Sequence, residues 1–138
     1  MLMTLDEELK FLEAYSYLFK IRYADKLFFD IDVDEKYLGW KLPAFSLQPL
    51  IDNAVKHNMI TRSHPFRISI RTEGEQLVVS NPKIPRPERA PSTGIGLENL
   101  RSRWLLITGQ PIEVVETDER FTVRLPPQKP AVPKPSQP

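Results

Sequence analysis

With 138 residues, 41% hydrophobic and 27% charged, the chain has the make-up of one ordinary globular domain, and a domain near this size buries about two-thirds of its unfolded surface. A formal net charge of +1 gives no electrostatic basis for binding nucleic acid or an acidic membrane, and the lack of cysteine excludes a disulfide framework and any zinc–thiolate site. No apolar run approaches the ~20 residues that span a bilayer, and Met1 to Phe11 lacks the basic-then-apolar order of a signal peptide, so a soluble, intracellular chain is expected.

Thr4-Leu5-Asp6-Glu7 has the form of a capping box and predicts a helix from about Leu5 to Tyr23. Its Leu9, Leu12 and Phe19, with Phe11, Tyr15 and Leu18, make a wide apolar surface. Tyr15, Tyr17, Phe19 and Tyr23 are read as packing on a sheet rather than as an interaction stripe. Leu27 to Val33 alternates loosely and predicts a strand, and Asp34 to Trp40 a polar connector or single helical turn. Pro43 suits the first turn of a second helix running to about Met59. Pro49 lies inside that helix and predicts a kink, or a start delayed to about Ser46.

Arg67 to Thr72 and Gln76 to Ser80 flank the turn signal Glu73-Gly74-Glu75 and predict a hairpin. Asn81 to Thr93 is proline-rich and reads as a loop. Gly94-Ile95-Gly96 then leads into a helix over Leu97 to Ile107, with Trp104 in the core and Gly109 as a stop. Ile112 to Glu116 and Phe121 to Leu125 predict a second hairpin. Residues 1–126 are expected to form one domain and 127–138 a proline-rich, disordered tail. The order α-β-α-ββ-loop-α-ββ predicts an α/β (α+β) fold, a two-layer sandwich of about three helices on a mixed, largely antiparallel sheet.

The chemistry concentrates on Leu47 to Asn58. At about 100° per residue, Leu47, Leu50, Ile51, Ala54 and Val55 fill one apolar arc. Asn53, Lys56 and His57 fall along a single flank of it, where a side chain can reach a cavity without leaving the edge of the core. Asn81 and the Thr93-Gly94-Ile95-Gly96 element are the other polar clusters. A glycine pair at a helix mouth leaves backbone donors free for a phosphate. An asparagine oxygen is a hard, neutral ligand suited to magnesium beside phosphates, and a lysine one turn on can neutralise them. Together the clusters suggest a nucleoside triphosphate with magnesium, without the GxxxxGK[ST] loop of Walker-type proteins. Arg101 and Arg103 read as a solvated helix face or as reaching back to a phosphate, and His64 as an exposed loop residue.

The order LQPLIDNAVKH, a strand ending in Asn81, TGIGLENLRSRW and FTVRLP resembles the ATP-binding domain of sensor histidine kinases, most nearly the LytS-like subfamily, over roughly Leu5 to Pro126. The resemblance implies the Bergerat (GHKL) sandwich shared with gyrase-type and Hsp90-type ATPases, with ATP and Mg2+ bound. By position, Asn53 would hold magnesium, and Lys56 and His57 would meet phosphates. Gly94 and Gly96 would shape a lid hinge, the amides through Leu97 would cradle phosphate, and Thr122 would lie near the adenine pocket. Asp52 stands where the subfamily often has an acidic residue. It is either a group that positions water or a base, or an exposed helix charge, and no residue is assigned firmly as catalytic.

Departures from the family pattern accompany these matches. The first glycine box, usually Asp-x-Gly-x-Gly, is here Ser80-Asn81-Pro82-Lys83-Ile84-Pro85. Asn81 can still accept a hydrogen bond from adenine through its amide oxygen, or it is a turn residue at a strand end. The following loop is short for a lid, and its Lys83, Arg86 and Arg89 either close over phosphates or stay solvated. No acceptor histidine lies on the first helix. The partners implied are therefore an upstream histidine-bearing dimerisation domain and a response regulator. The chain would be the cytoplasmic domain of an inner-membrane receptor, tied to the membrane only through N-terminal segments of a longer protein. The alternative is a non-catalytic regulatory module that keeps the fold with weak or absent nucleotide binding. A stand-alone kinase similar to anti-sigma factors is a third reading.

Overall fold

The computed structural model describes residues 1–87 and 95–130. Among them the elements are β1 (Leu2–Thr4), α1 (Leu5–Tyr23), β2 (Leu27–Asp32), β3 (Lys41–Pro43), α2 (Leu47–His57), β4 (Phe66–Glu73), β5 (Gln76–Pro82), α3 (Ile95–Thr108), β6 (Glu113–Glu116) and β7 (Arg120–Leu125). The capping box at α1 forms as the sequence requires. The Thr4 hydroxyl accepts from the Glu7 amide at 3.1 Å, and the Glu7 carboxylate accepts from the Thr4 amide at 3.0 Å. Two further first-turn amides, of Leu5 and Asp6, donate to the carbonyls of Trp40 and Leu38, so the connector completes the helix start.

Five strands run in the order β2-β4-β5-β7-β6, with β2 and β4 parallel and every other pair antiparallel. The parallel pair demands a long crossover, and α2 lies within it. Ile70, Val79, Val123 and Val114 stand opposite one another across four strands. They share one core with Leu12 of α1, Leu50 and Ile51 of α2, and Leu100 and Trp104 of α3. This is the mixed α+β sandwich expected, with the helices on one face of the sheet. The other face is polar: Arg71 reaches Ser69, Arg71 and Arg124 both reach Glu73, and the buried Val78 stands opposite both arginines in register.

One local expectation is corrected and another is decided between its alternatives. Pro43 does not begin α2; it ends β3, which pairs with β1 in a small second sheet that the pattern did not predict. The helix starts at Leu47 after Ser46. Of the two outcomes expected for Pro49, the start delayed to about Ser46 is the one found: Pro49 occupies the first turn, where its amide would have no partner within the helix, and needs no kink. Phe45 carries a positive φ of 60°, and the buried Glu8 carboxylate holds the corner by accepting the Ser46 amide at 2.8 Å. Burial raises the Glu8 pKa above its ordinary value, against the lowering effect of bonds from the Ser46 and Phe45 amides.

On α1, Tyr15, Phe19 and Tyr23 pack against the core in an aromatic ladder, whereas Tyr17, Leu18 and Ile21 are more than 60% exposed. Tyr17 and Leu18 are therefore not sheet-packing residues, being turned to the outer side of the helix. The chain past Pro126 is tied down at first: Gln128 exchanges both backbone hydrogen bonds with Lys41, at 2.8 and 2.9 Å. The rest of the proline-rich tail, 131–138, lies outside the described residues. Among the described residues no helix is long and apolar enough to cross a membrane.

Candidate functional site

On α2 the buried set is Leu47, Leu50, Ile51, Ala54 and Val55, the arc read from the sequence. Asn53 and His57 are half-buried along one flank, with Lys56 exposed beside them. The structure thus brings together the amide, the ammonium and the imidazole on one edge of the helix. The His57 pKa lies below its ordinary value, because of burial first and then the positive charges of Lys56 and Arg86. A neutral imidazole beside two cations offers an acceptor or donor nitrogen without adding a third charge.

Asp52 takes the opposite flank. Its carboxylate accepts from the Tyr15 hydroxyl of α1, and Tyr15 is pushed up to about 12 by burial and then by that bond, so it stays a phenol donor. Asp52 also lines a cleft of about 480 Å³ with Phe45, Gln48, Pro49, Gly96, Asn99 and Arg103. That cleft joins Gly96, on the first turn of α3, to the outer side of α2. A Cβ at Gly96 would meet no atom of the described residues within 4 Å, so these leave room for a ligand atom over this turn. Leu97, next along, packs against the core. Arg101 pairs with Glu98 on the surface, and Arg103 lies at the cleft with a buried Nε that finds no partner among the described residues. Thr93, Gly94 and Arg89 lie outside the described residues, so the lid-hinge role read for Gly94 is not described.

Asn81 is buried on β5, opposite Phe121 and in step with Val79, so its side chain belongs to the helix-bearing face. Its amide nitrogen donates to the Pro82 carbonyl at 2.8 Å, and among the described residues none donates to its oxygen. The strand therefore runs through Asn81 to Pro82 rather than ending in a loop there. Thr122 is not brought to this site. It pairs with Ser80, one residue off the Asn81 step, and lies on the far face, where Ser80 bonds Thr122 at 3.0 Å and Arg120 at 2.9 and 3.1 Å. Because alternate residues of a strand face opposite sides, Thr122 cannot line a pocket against α2.

Two loop cations suggested for phosphates have other partners. Lys83 pairs with Glu116 at 2.9 Å, and Arg86 donates to the backbone carbonyls of Asn58 and Val55 at the end of α2. The sequence reading missed Asn58, a buried residue directly after His57 that joins α2 to the segment leaving β5. A short amide side chain at a helix end, followed by a loop arginine, was the available signal.

Fold and relatives agree on the class. The chain has the fold of histidine kinase catalytic domains: that of ThkA superposes with a TM-score of 0.61 at 16% identity, covering 94% of this chain and 98% of that one. The cytoplasmic segment of histidine kinase QseC gives a TM-score of 0.60 at 13% identity, over 91% of this chain and 76% of that one. No family model matches the chain. In sequence it is homologous to sensor histidine kinases, including LytS-like ones. Sensor histidine kinase BtsS of Escherichia coli (strain K12) is 32% identical over 132 residues, 89% of this chain and 24% of BtsS. Sensor protein LytS of Streptococcus agalactiae is 30% identical over 124 residues, covering 77% of this chain and 21% of LytS. The chain spans about a quarter or less of the length of these curated relatives.

Proposed function

We propose that this chain is the ATP-binding catalytic domain of a two-component sensor histidine kinase, holding Mg-ATP for phosphoryl transfer to a histidine on an upstream dimerisation domain. The observation that carries the reading is the single flank of α2 bearing half-buried Asn53 and His57 with exposed Lys56, in a chain with this fold and these relatives. Among the described residues no three acidic or histidine side chains cluster as a metal site. A magnesium ion at Asn53 would therefore take its other oxygens from phosphates and water, as this ion usually does. When bound, it neutralises charge on the transferring phosphoryl group.

The chain's own residues bind and orient. Asn53 offers its amide oxygen to the metal, Lys56 its charge to phosphate oxygens, and His57 a neutral hydrogen-bonding nitrogen. Asn81 offers an amide oxygen to the adenine amino group. The open turn at Gly96 admits a phosphate, with amides through Leu97 as donors. A Gly94 contribution belongs to the same reading. Asp52, held by Tyr15 on the other flank, is proposed to act on the cleft side, away from the metal. The phosphate would pass to a response regulator, and the whole protein would be an inner-membrane receptor with this domain in the cytoplasm.

A second reading, a non-catalytic module, is favoured by Asn81-Pro82 standing in a continuous strand where the family has Asp-x-Gly. Calorimetric titration of ATP with and without magnesium, on this chain and on Asn53→Ala, separates the two. Magnesium-dependent binding abolished by the substitution supports the kinase reading. Absent binding, or binding indifferent to Asn53, supports the module.

A further inference from the structure

The segment that leaves β5 is fastened to the C-terminal end of α2 by an unusually complete set of bonds. Asn58, which is 6% exposed, donates from its amide nitrogen to the Ala54 carbonyl at 2.8 Å and accepts from the Ile84 amide at 2.7 Å. The Met59 amide returns a bond to the Ile84 carbonyl at 2.8 Å. Arg86 then lays its guanidinium over the helix end, donating from Nε to the Asn58 carbonyl and from Nη2 to the Val55 carbonyl, both at 3.1 Å. Those carbonyls carry the partial negative charge of the helix C-terminus, where a cation is favoured. On its other side the same segment is pinned to the turn between β6 and β7, the Lys83 amide donating to the Glu119 carbonyl at 2.8 Å and its ammonium meeting Glu116.

The fastened groups are neighbours of the candidate site in both directions. Asn58 directly follows His57 on α2, and Ile84 closely follows Asn81 on β5. A bond network joining Asn58 to Ile84 therefore sets the separation between the flank that bears Asn53, Lys56 and His57 and the strand that bears Asn81. We propose that Asn58 and Arg86 are positioning residues that fix the spacing of these two walls for nucleotide binding, Arg86 acting through the helix-end carbonyls and not on phosphate. This rests on the nucleotide-binding reading above and deepens it.

The geometry makes the arginine's shape matter more than its charge. Lysine keeps the charge but cannot serve two carbonyls in a fixed fork. Mg-ATP and Mg-ADP titrations on the parent chain, Asn58→Ala and Arg86→Lys, paired with amide hydrogen exchange, test the proposal. Loss of these bonds is expected to weaken ATP and ADP alike by about tenfold in each variant. Exchange at Ile84 and Met59 should accelerate by about tenfold or more while Val79, in the sheet, keeps its protection.

Parent-like affinity in Arg86→Lys would overturn the proposal, as would a loss far larger for ATP than for ADP, which would make Arg86 a phosphate ligand. Unprotected Ile84 and Met59 amides in the parent would overturn it too. A parent chain that binds neither nucleotide defeats the functional reading itself, and is told apart from failure of the positioning role because the parent, not the variants, lacks binding. In that outcome the bonds of Asn58 and Arg86 have no role in nucleotide binding.

Discussion

The two faces of β5 differ by a single residue step and have opposite fates. Val79 and Asn81 look toward the helices, with the valine in the core and the asparagine at the edge near α2. Val78 and Ser80 look the other way, Val78 standing between Arg71 and Arg124 in register and Ser80 bonded to Thr122 and Arg120. Both sets are buried, so burial alone does not tell a site residue from a structural one. The pleat does: a strand's alternation assigns each polar group to one face, and only one face carries the helices, including the one proposed to bear the ligand-binding groups.

Breaking the helix face should cost most. Ile70→Ala opens a hole in the core row beneath the helices, and about 2–5 kcal/mol of stability should be lost in urea or thermal unfolding, a large share of a typical domain's total. Next comes Asn53→Ala, expected to weaken Mg-ATP by tenfold or more, at least about 1.4 kcal/mol, while leaving the unfolding midpoint in place. The contrasting far-face change is Thr122→Val. It removes one partner of Ser80 and should lower stability by about 1 kcal/mol with ATP affinity unaltered within twofold. A tenfold loss of affinity there would mean that the faces have been assigned the wrong way round.

The smallest expected effect is one of pH. In the folded chain His57 protonates less readily than its ordinary value of 6.5 implies, so as pH falls the unfolded chain takes up that proton first. Its contribution to stability is therefore whole above 6.5 and declines as the pH drops below it toward the folded value. Unfolding midpoints followed across that range should fall less steeply for His57→Gln than for the parent. Equal slopes would show that the imidazole is not held neutral beside Lys56 and Arg86.

Much of this was legible in the residues. The capping box at Thr4, the apolar arc of α2 and both hairpins follow from local periodicity and turn chemistry, which act over a few neighbouring residues. For Pro49 the residues left a kink and a start delayed to about Ser46 both open; the delayed start is the outcome, and it is set by Glu8, distant in sequence, capturing the Ser46 amide. Thr122 was assigned by its place in a motif, while its face was decided by pairing with Ser80. Tyr17 and Leu18 belonged to a row of apolar residues too wide for one side of α1 to bury.

The sequence by itself determined the three helices and the five strands of the main sheet, the polar flank Asn53–Lys56–His57 and the kinship with sensor histidine kinases, because helix period and local motifs are written in neighbouring residues. Tertiary structure alone decided that Asn81 lies on the helix-bearing face and Thr122 does not, that Asp52 turns to Tyr15, and that Asn58 and Arg86 join α2 to the exit of β5. Those outcomes depend on strand register and on hydrogen bonds between residues far apart in the chain. No local pattern encodes such partners; they meet only when the sheet and the helices have closed over a common core.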